Sequence, residues 1–126
     1  MKIELDATDA GVNKISAYEP GYIAVAGTIF NSGIILTATD IETDKLPTHV
    51  SGLSLALIDT IIARSPELIL FGTGAVIEYP DAELLNRLIA ARIGFEVMDT
   101  GSACRSFNFL AGEGRDVVAL IFLLPG

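Results

Sequence analysis

The sequence predicts a single mixed α/β domain, and three observations carry that prediction. Short apolar segments broken by Pro-Gly, Gly and Asn-Ser-Gly fill residues 1–50, and helix and strand patterns then alternate over residues 51–126. The chain has 126 residues of which 51% are hydrophobic, long and apolar enough for one buried core. About 50 residues of hairpins would be marginal alone, so the β-rich part and the alternating part are expected to form one domain spanning 1–126.

The first part reads as strands at Lys14–Tyr18, Tyr22–Ala26, Thr28–Phe30 and Gly33–Ala38. Pro20-Gly21, Gly27 and Asn31-Ser32-Gly33 separate them, and the last of these resembles a hairpin turn because Asn and Gly tolerate positive φ. Thr39 to Lys45 alternates Thr and acid around Ile41, which suits a solvated edge strand or loop. From Leu53, apolar residues at 53, 57, 58, 61 and 62 share one helical face, with Ser51 or Ser54 as cap and Ser65-Pro66 as stop. Glu67 to Phe71 is apolar without alternation, the mark of a strand covered on both faces, and Gly72-Thr73-Gly74 ends it. Leu84, Leu85, Leu88, Ile89 and Ile93 make a second amphipathic helix with Gly94 as its C-terminal cap. Phe95 to Met98 is a short strand. Asp99-Thr100 caps a third helix running to about Leu110, ended by Gly112 or Gly114, and Val117 to Leu124 is a last doubly buried strand. Such alternation implies right-handed crossovers and a βαβ-type, largely parallel sheet covered by about three helices. The N-terminal strands then form a second layer or extend that sheet.

Charge excludes several partners. Eight Lys and Arg are scattered among sixteen Asp and Glu, giving a net charge of -8 and no basic stripe for phosphates, so no nucleic acid is expected as a ligand. The same acidity disfavours anionic lipid, and the longest apolar run, Val117–Leu124, is far short of the ~20 residues of a spanning helix, so direct membrane insertion is not expected. Met1-Lys2-Ile3-Glu4-Leu5-Asp6 turns acidic before any apolar stretch, which reads as no secretory signal and a cytoplasmic location. The single cysteine, Cys104, has no internal disulfide partner.

Candidate chemistry gathers at two loops, Gly72-Thr73-Gly74 and Asp99-Thr100-Gly101-Ser102, which leave the carboxyl ends of neighbouring parallel strands where open α/β sheets bind ligands. The second also opens a helix whose free N–H groups favour an anion, with hydroxyls from Thr73, Thr100 and Ser102 in support. The opposing reading is that the glycines serve a tight turn and Asp99 is an ordinary N-cap whose charge competes with an anion. No dinucleotide fingerprint or Walker lysine is present, and no cofactor is expected. Cys104, beside Arg105 in the first turn of the third helix, is either a reactive thiolate or a buried small hydrophobe. One His and one Cys do not make a zinc site, and Asp40, Glu42 and Asp44 lack the Gly turn and Glu of a calcium loop. Glu113 and Arg115 read as surface contacts. Arg105 and Asn108, three apart on one helix face, either pin the helix to neighbouring segments or present a binding surface.

The ordered series Gly72-Thr73-Gly74, Gly94-Phe95-Glu96-Val97-Met98-Asp99-Thr100, Ala103-Cys104-Arg105-Ser106-Phe107-Asn108 and Glu113-Gly114-Arg115 resembles the motifs of the Mth-like domain family of unknown function. That family includes a mitochondrial respiratory complex I assembly factor and an adipogenesis-associated protein. Ser106 stands where the resemblance leads one to expect Thr. The resemblance implies a compact three-layer α/β domain, a bacterial or archaeal origin, and no catalytic residues to carry over; the mitochondrial member implies a role as an assembly factor working with a protein partner.

Two functions are therefore expected in competition. One is a non-enzymatic binding or assembly module with a protein partner or a homo-oligomer interface, which requires an exposed apolar patch. The other is a small-anion binding protein or enzyme, which requires a concave site where at least two of Thr73, Thr100, Cys104 and Arg105 converge.

Overall fold

The computed structural model describes residues 11–126; the expectation about a secretory signal at Met1–Asp6 lies outside the described residues. The elements run β1 (Ile15–Glu19), β2 (Tyr22–Val25), β3 (Thr28–Phe30), β4 (Ile34–Leu36), β5 (Ile41–Thr43), a 3-10 turn (Val50–Gly52), α1 (Leu55–Ile62), β6 (Leu68–Gly72), α2 (Ala82–Ala90), β7 (Gly94–Met98), α3 (Thr100–Gly112) and β8 (Val117–Ile121). A five-stranded sheet has the order β5-β4-β8-β6-β7, in which β8, β6 and β7 are parallel and β4 and β5 antiparallel, and β1-β2-β3 form a separate antiparallel sheet.

Strand periodicity sorts the central sheet's side chains onto two faces. Ile34, Leu36, Leu70, Val117, Ala119 and Ile121 pack with Ile15, Ile23 and Val25 of the small sheet and with Ala103, Cys104, Phe107 and Ala111 of α3. Ile35, Ile69, Phe71, Val118 and Leu120 pack against Ile58 and Ile61 of α1 and Leu84 and Leu88 of α2. The result is three layers: α1 and α2, the large sheet, then α3 beside the small sheet. All of β8 is buried, as its unbroken apolar run predicts.

Local chemistry sets the helix ends. The Ser54 hydroxyl accepts from the Leu57 N–H at 3.1 Å, so Ser54 rather than Ser51 caps α1. Ser65, before Pro66, sits at φ 52, outside the right-handed helical region that proline disfavours for its predecessor. Past the end of α3, Gly114 adopts φ +83.

The structure corrects three expectations. Asn31-Ser32-Gly33 is not a hairpin turn: β3 pairs with β2, whereas β4 pairs with β5 and β8, so this segment carries the chain from one sheet to the other. Gly33 is required there by a close approach, since a Cβ would lie 2.9 Å from the Ile121 carbonyl oxygen. Gly94 does not cap α2 but begins β7; the left-handed residue is Arg92 at φ 60, and the Ile93 N–H reaches back to the Leu88 carbonyl at 3.1 Å. Ile89 is 62% exposed, because the buried stripe of α2 is centred on Leu84 and Leu88 and a neighbouring position is turned about 100° away.

Candidate functional site

The two loops do meet. Gly72 of β6 is paired with Met98 of β7, and beyond that register the Thr73 N–H donates to the Met98 carbonyl and the Thr100 N–H to the Gly74 carbonyl, both at 2.9 Å. The Thr100 side chain, 1% exposed, accepts from the Gly74 N–H at 2.8 Å and donates to the Phe122 carbonyl at 2.5 Å. One hydroxyl thereby joins the ends of β6, β8 and α3. The Thr73 hydroxyl donates to the Val76 carbonyl at 2.7 Å and accepts from the Glu78 N–H at 3.0 Å, folding the following loop over itself. Both threonine hydroxyls are spent inside the protein.

The start of α3 is similarly occupied. Asp99 accepts from the Ser102 N–H at 2.8 Å, and the Ser102 hydroxyl lies 3.1 Å from its second oxygen. The Ser102 N–H, the Ser102 hydroxyl and the nearby Arg105 guanidinium together hold this carboxyl below its ordinary range. A carboxylate of the chain itself thus stands where an anion would bind. Arg105 donates to the Tyr18 hydroxyl at 2.6 Å and to Ser102 Oγ at 3.3 Å, and Asn108 bonds both backbone groups of Ile15. Of the two readings for Arg105 and Asn108, the contacts match the one in which they pin α3, here to β1. Cys104 is 1% exposed within the core, and burial pushes its thiol up to about 12, against the opposing pull of Arg105, so the thiolate reading is withdrawn.

Beyond the carboxyl ends of β6 and β8 lies a groove of about 600 Å³ whose walls include His49, Thr73, Gly74, Val76, Glu78 and Leu123. Of the candidate residues only Thr73 and Gly74 line it; Gly72, Asp99, Thr100, Ser102, Cys104, Arg105 and Asn108 do not. The convergence that the anion reading requires is absent from this groove. Among the described residues no three His, Cys, Asp or Glu side chains are grouped to hold a metal ion, and no helix is long and apolar enough to cross a membrane.

One feature of this end of the molecule escaped the sequence reading. In the loop between β6 and α2, Val76, Ile77 and Tyr79 are 69%, 56% and 66% exposed. The signal was present, since Ala75-Val76-Ile77-Glu78-Tyr79-Pro80 is an apolar stretch assigned to neither helix nor strand.

Comparison with known proteins agrees with this architecture. The chain belongs to the family of proteins of unknown function DUF498/DUF598, whose model matches residues 15–122. It is similar to a "13 kDa major membrane protein" of Francisella tularensis, with 32% identity over 94 residues covering 73% of this chain and 76% of that one. It is also similar to the Danio rerio NADH dehydrogenase (ubiquinone) 1 alpha subcomplex assembly factor 3, with 32% identity over 114 residues, 88% of this chain and 64% of the longer relative. A crystal structure from Bordetella parapertussis superposes with a TM-score of 0.80 at 30% identity, covering 93% of this chain and 98% of the other. A solution structure from Bordetella pertussis described as a Mth938-like domain shares the fold, with a TM-score of 0.78 at 23% identity over 92% of this chain and 89% of that one.

Proposed function

We propose that this chain is a non-enzymatic protein-binding module of the assembly-factor kind, working in the cytoplasm, and that it docks its partner on the loop 75–79. The observation that carries this reading is the exposure of Val76, Ile77 and Tyr79 on a loop whose shape is set from within by the Thr73 hydroxyl. Covering a large apolar side chain is worth about 1.5–3 kcal/mol, and a loop already held in one conformation loses little entropy when it docks. Tyrosine in such a position is a frequent energetic anchor of interfaces. Similarity to an assembly factor supports the same reading.

The test is crosslinking capture from the native cell with the chain and with its Val76→Ser, Ile77→Ser, Tyr79→Ser triple variant, read by mass spectrometry. The expected result is a defined partner set that the triple variant loses at unchanged thermal stability. Recovery of the same proteins by both chains, or of none by either, would sink the reading. A shift in sedimentation that the variant abolishes would instead identify a second copy as the partner.

A further inference from the structure

We infer that β7 is an acceptor edge to which a partner adds an extended strand carrying a basic residue opposite Glu96; this rests on the protein-binding reading and names its mode. In the order β5-β4-β8-β6-β7 the sheet has two edges, and they differ. The β5 edge is three residues long, flanked by Asp40 and Asp44, with Glu42 paired to Arg64. Short length and charge are the usual protections of an edge. By contrast β7 has five residues, with Phe95 and Val97 half-buried against the α1–α2 face and only one charge, the exposed Glu96 at its centre.

The backbone of β7 is set to receive a strand. The Thr73 N–H donates to the Met98 carbonyl, and residues facing one neighbour alternate along a strand. Gly94, Glu96 and Met98 therefore turn their backbone groups towards β6, and Phe95 and Val97 turn theirs outward. Among the described residues no backbone group bonds Phe95 or Val97 on that side. At the carboxyl end of β7, Thr73 bonds both Met98 and Glu78 of the exposed loop.

Charge selects the occupant. A second copy pairing antiparallel about a twofold axis uses all four outward groups only when centred on Glu96. That register sets the two Glu96 side chains opposite each other in a non-hydrogen-bonded pair, the closest cross-strand spacing, at about 4.5 Å between Cα atoms. Like charges there are unfavourable on a chain whose net charge is already -8. A Lys or Arg at that place on a different protein converts the same spacing into attraction, with apolar residues beside it meeting Phe95 and Val97.

Hydrogen exchange of the Phe95 and Val97 amides in the whole chain, followed by nuclear magnetic resonance, tests this with two capped peptides at millimolar concentration. Both alternate valine and threonine; one has a central lysine and the other a central glutamate. The lysine peptide is expected to slow both amides by roughly tenfold while the glutamate peptide does not, and Glu96→Lys is expected to exchange the two preferences. Equal protection by both peptides, or by neither, overturns the inference. So does concentration-dependent protection without peptide, which would place a second copy on the edge. If strand addition fails while the triple loop variant still loses its partners, the protein-binding reading stands and docking is through side chains alone; loss of the loop's effect alone condemns that reading instead.

Discussion

Asn108 of α3 and Ile15 of β1, 93 residues apart in sequence, exchange two hydrogen bonds: the Ile15 N–H donates to Asn108 Oδ1 at 2.8 Å and Asn108 Nδ2 donates to the Ile15 carbonyl at 2.9 Å. The side-chain amide presents a donor and an acceptor side by side, so it meets the outer edge of β1 as another strand would. This couples the small sheet to the helix that covers the large one.

Replacing Asn108 by Ala leaves both Ile15 groups without their partner, and urea unfolding is expected to show a loss of about 1–3 kcal/mol. Asn108→Asp keeps an acceptor for the Ile15 N–H but sets a carboxylate against the Ile15 carbonyl. It is therefore expected to be destabilised near neutral pH and partly restored in acid, where the protonated carboxyl donates.

Thr100 makes a more buried junction. Thr100→Val keeps the shape and removes the hydroxyl between the Gly74 N–H and the Phe122 carbonyl, with an expected cost of about 1–3 kcal/mol for the orphaned donor. Thr100→Ser keeps the hydroxyl and is expected to lose less. A larger loss in Thr100→Ser than in Thr100→Val, measured by the same unfolding experiment, would show that the methyl group rather than the hydroxyl holds the loops.

Cys104 is expected to resist thiol reagents in the folded protein and to react only at the rate of unfolding. Its thiol is raised from 9.0 to about 12 in the folded chain, so above pH 9 the unfolded chain loses this proton first. Stability from this group therefore falls with rising pH between about 9 and 12, by at most the ~1.4 kcal/mol per pH unit that one proton allows. Chemical denaturation of the chain and of Cys104→Ala across that range checks the sign, since the variant lacks this component of the slope.

Gly72 ends β6 under α3, where an added Cβ would lie 2.8 Å from the Ala103 Cβ and 3.3 Å from the Thr100 Cα. Gly72→Ala is expected to cost about 1–3 kcal/mol through overpacking. Adding Ala103→Gly removes the closest contact, so the double variant is expected to be more stable than the sum of the single effects, as a double-mutant cycle would show.

Much of this fold is legible locally. The run Val117–Leu124 announces a strand buried on both faces, which the structure forms over Val117–Ile121, Asp99 and Ser54 cap the helices they precede, and Pro66 stops the first helix. Each signal depends on residues within a few positions of one another. The corrections share a different cause. Asn31-Ser32-Gly33 has hairpin composition, yet whether β4 returns to β3 or crosses to β8 depends on Ile121, far along the chain. Arg92 takes the left-handed backbone conformation expected of Gly94, at a penalty of about 1–2 kcal/mol, and this turn lets the Ile93 N–H bond back to the Leu88 carbonyl.

The candidate site divides along the same line. Hydroxyls, an amide and a cysteine near two strand ends are visible in the sequence, and so is the nearness of the loops, since parallel neighbours place their carboxyl ends together. What each group bonds depends on contacts such as Thr100 to Phe122 and Asn108 to Ile15, which no local pattern encodes. Sequence alone determined the element types, the two-faced core and the family, because periodicity, caps and motif order are short-range properties of the chain. Only the tertiary structure decided that the polar loop pair is consumed in holding the layers together while Val76, Ile77, Tyr79 and the edge of β7 are left outward, because the burial and pairing of each group depend on which distant residue folds against it.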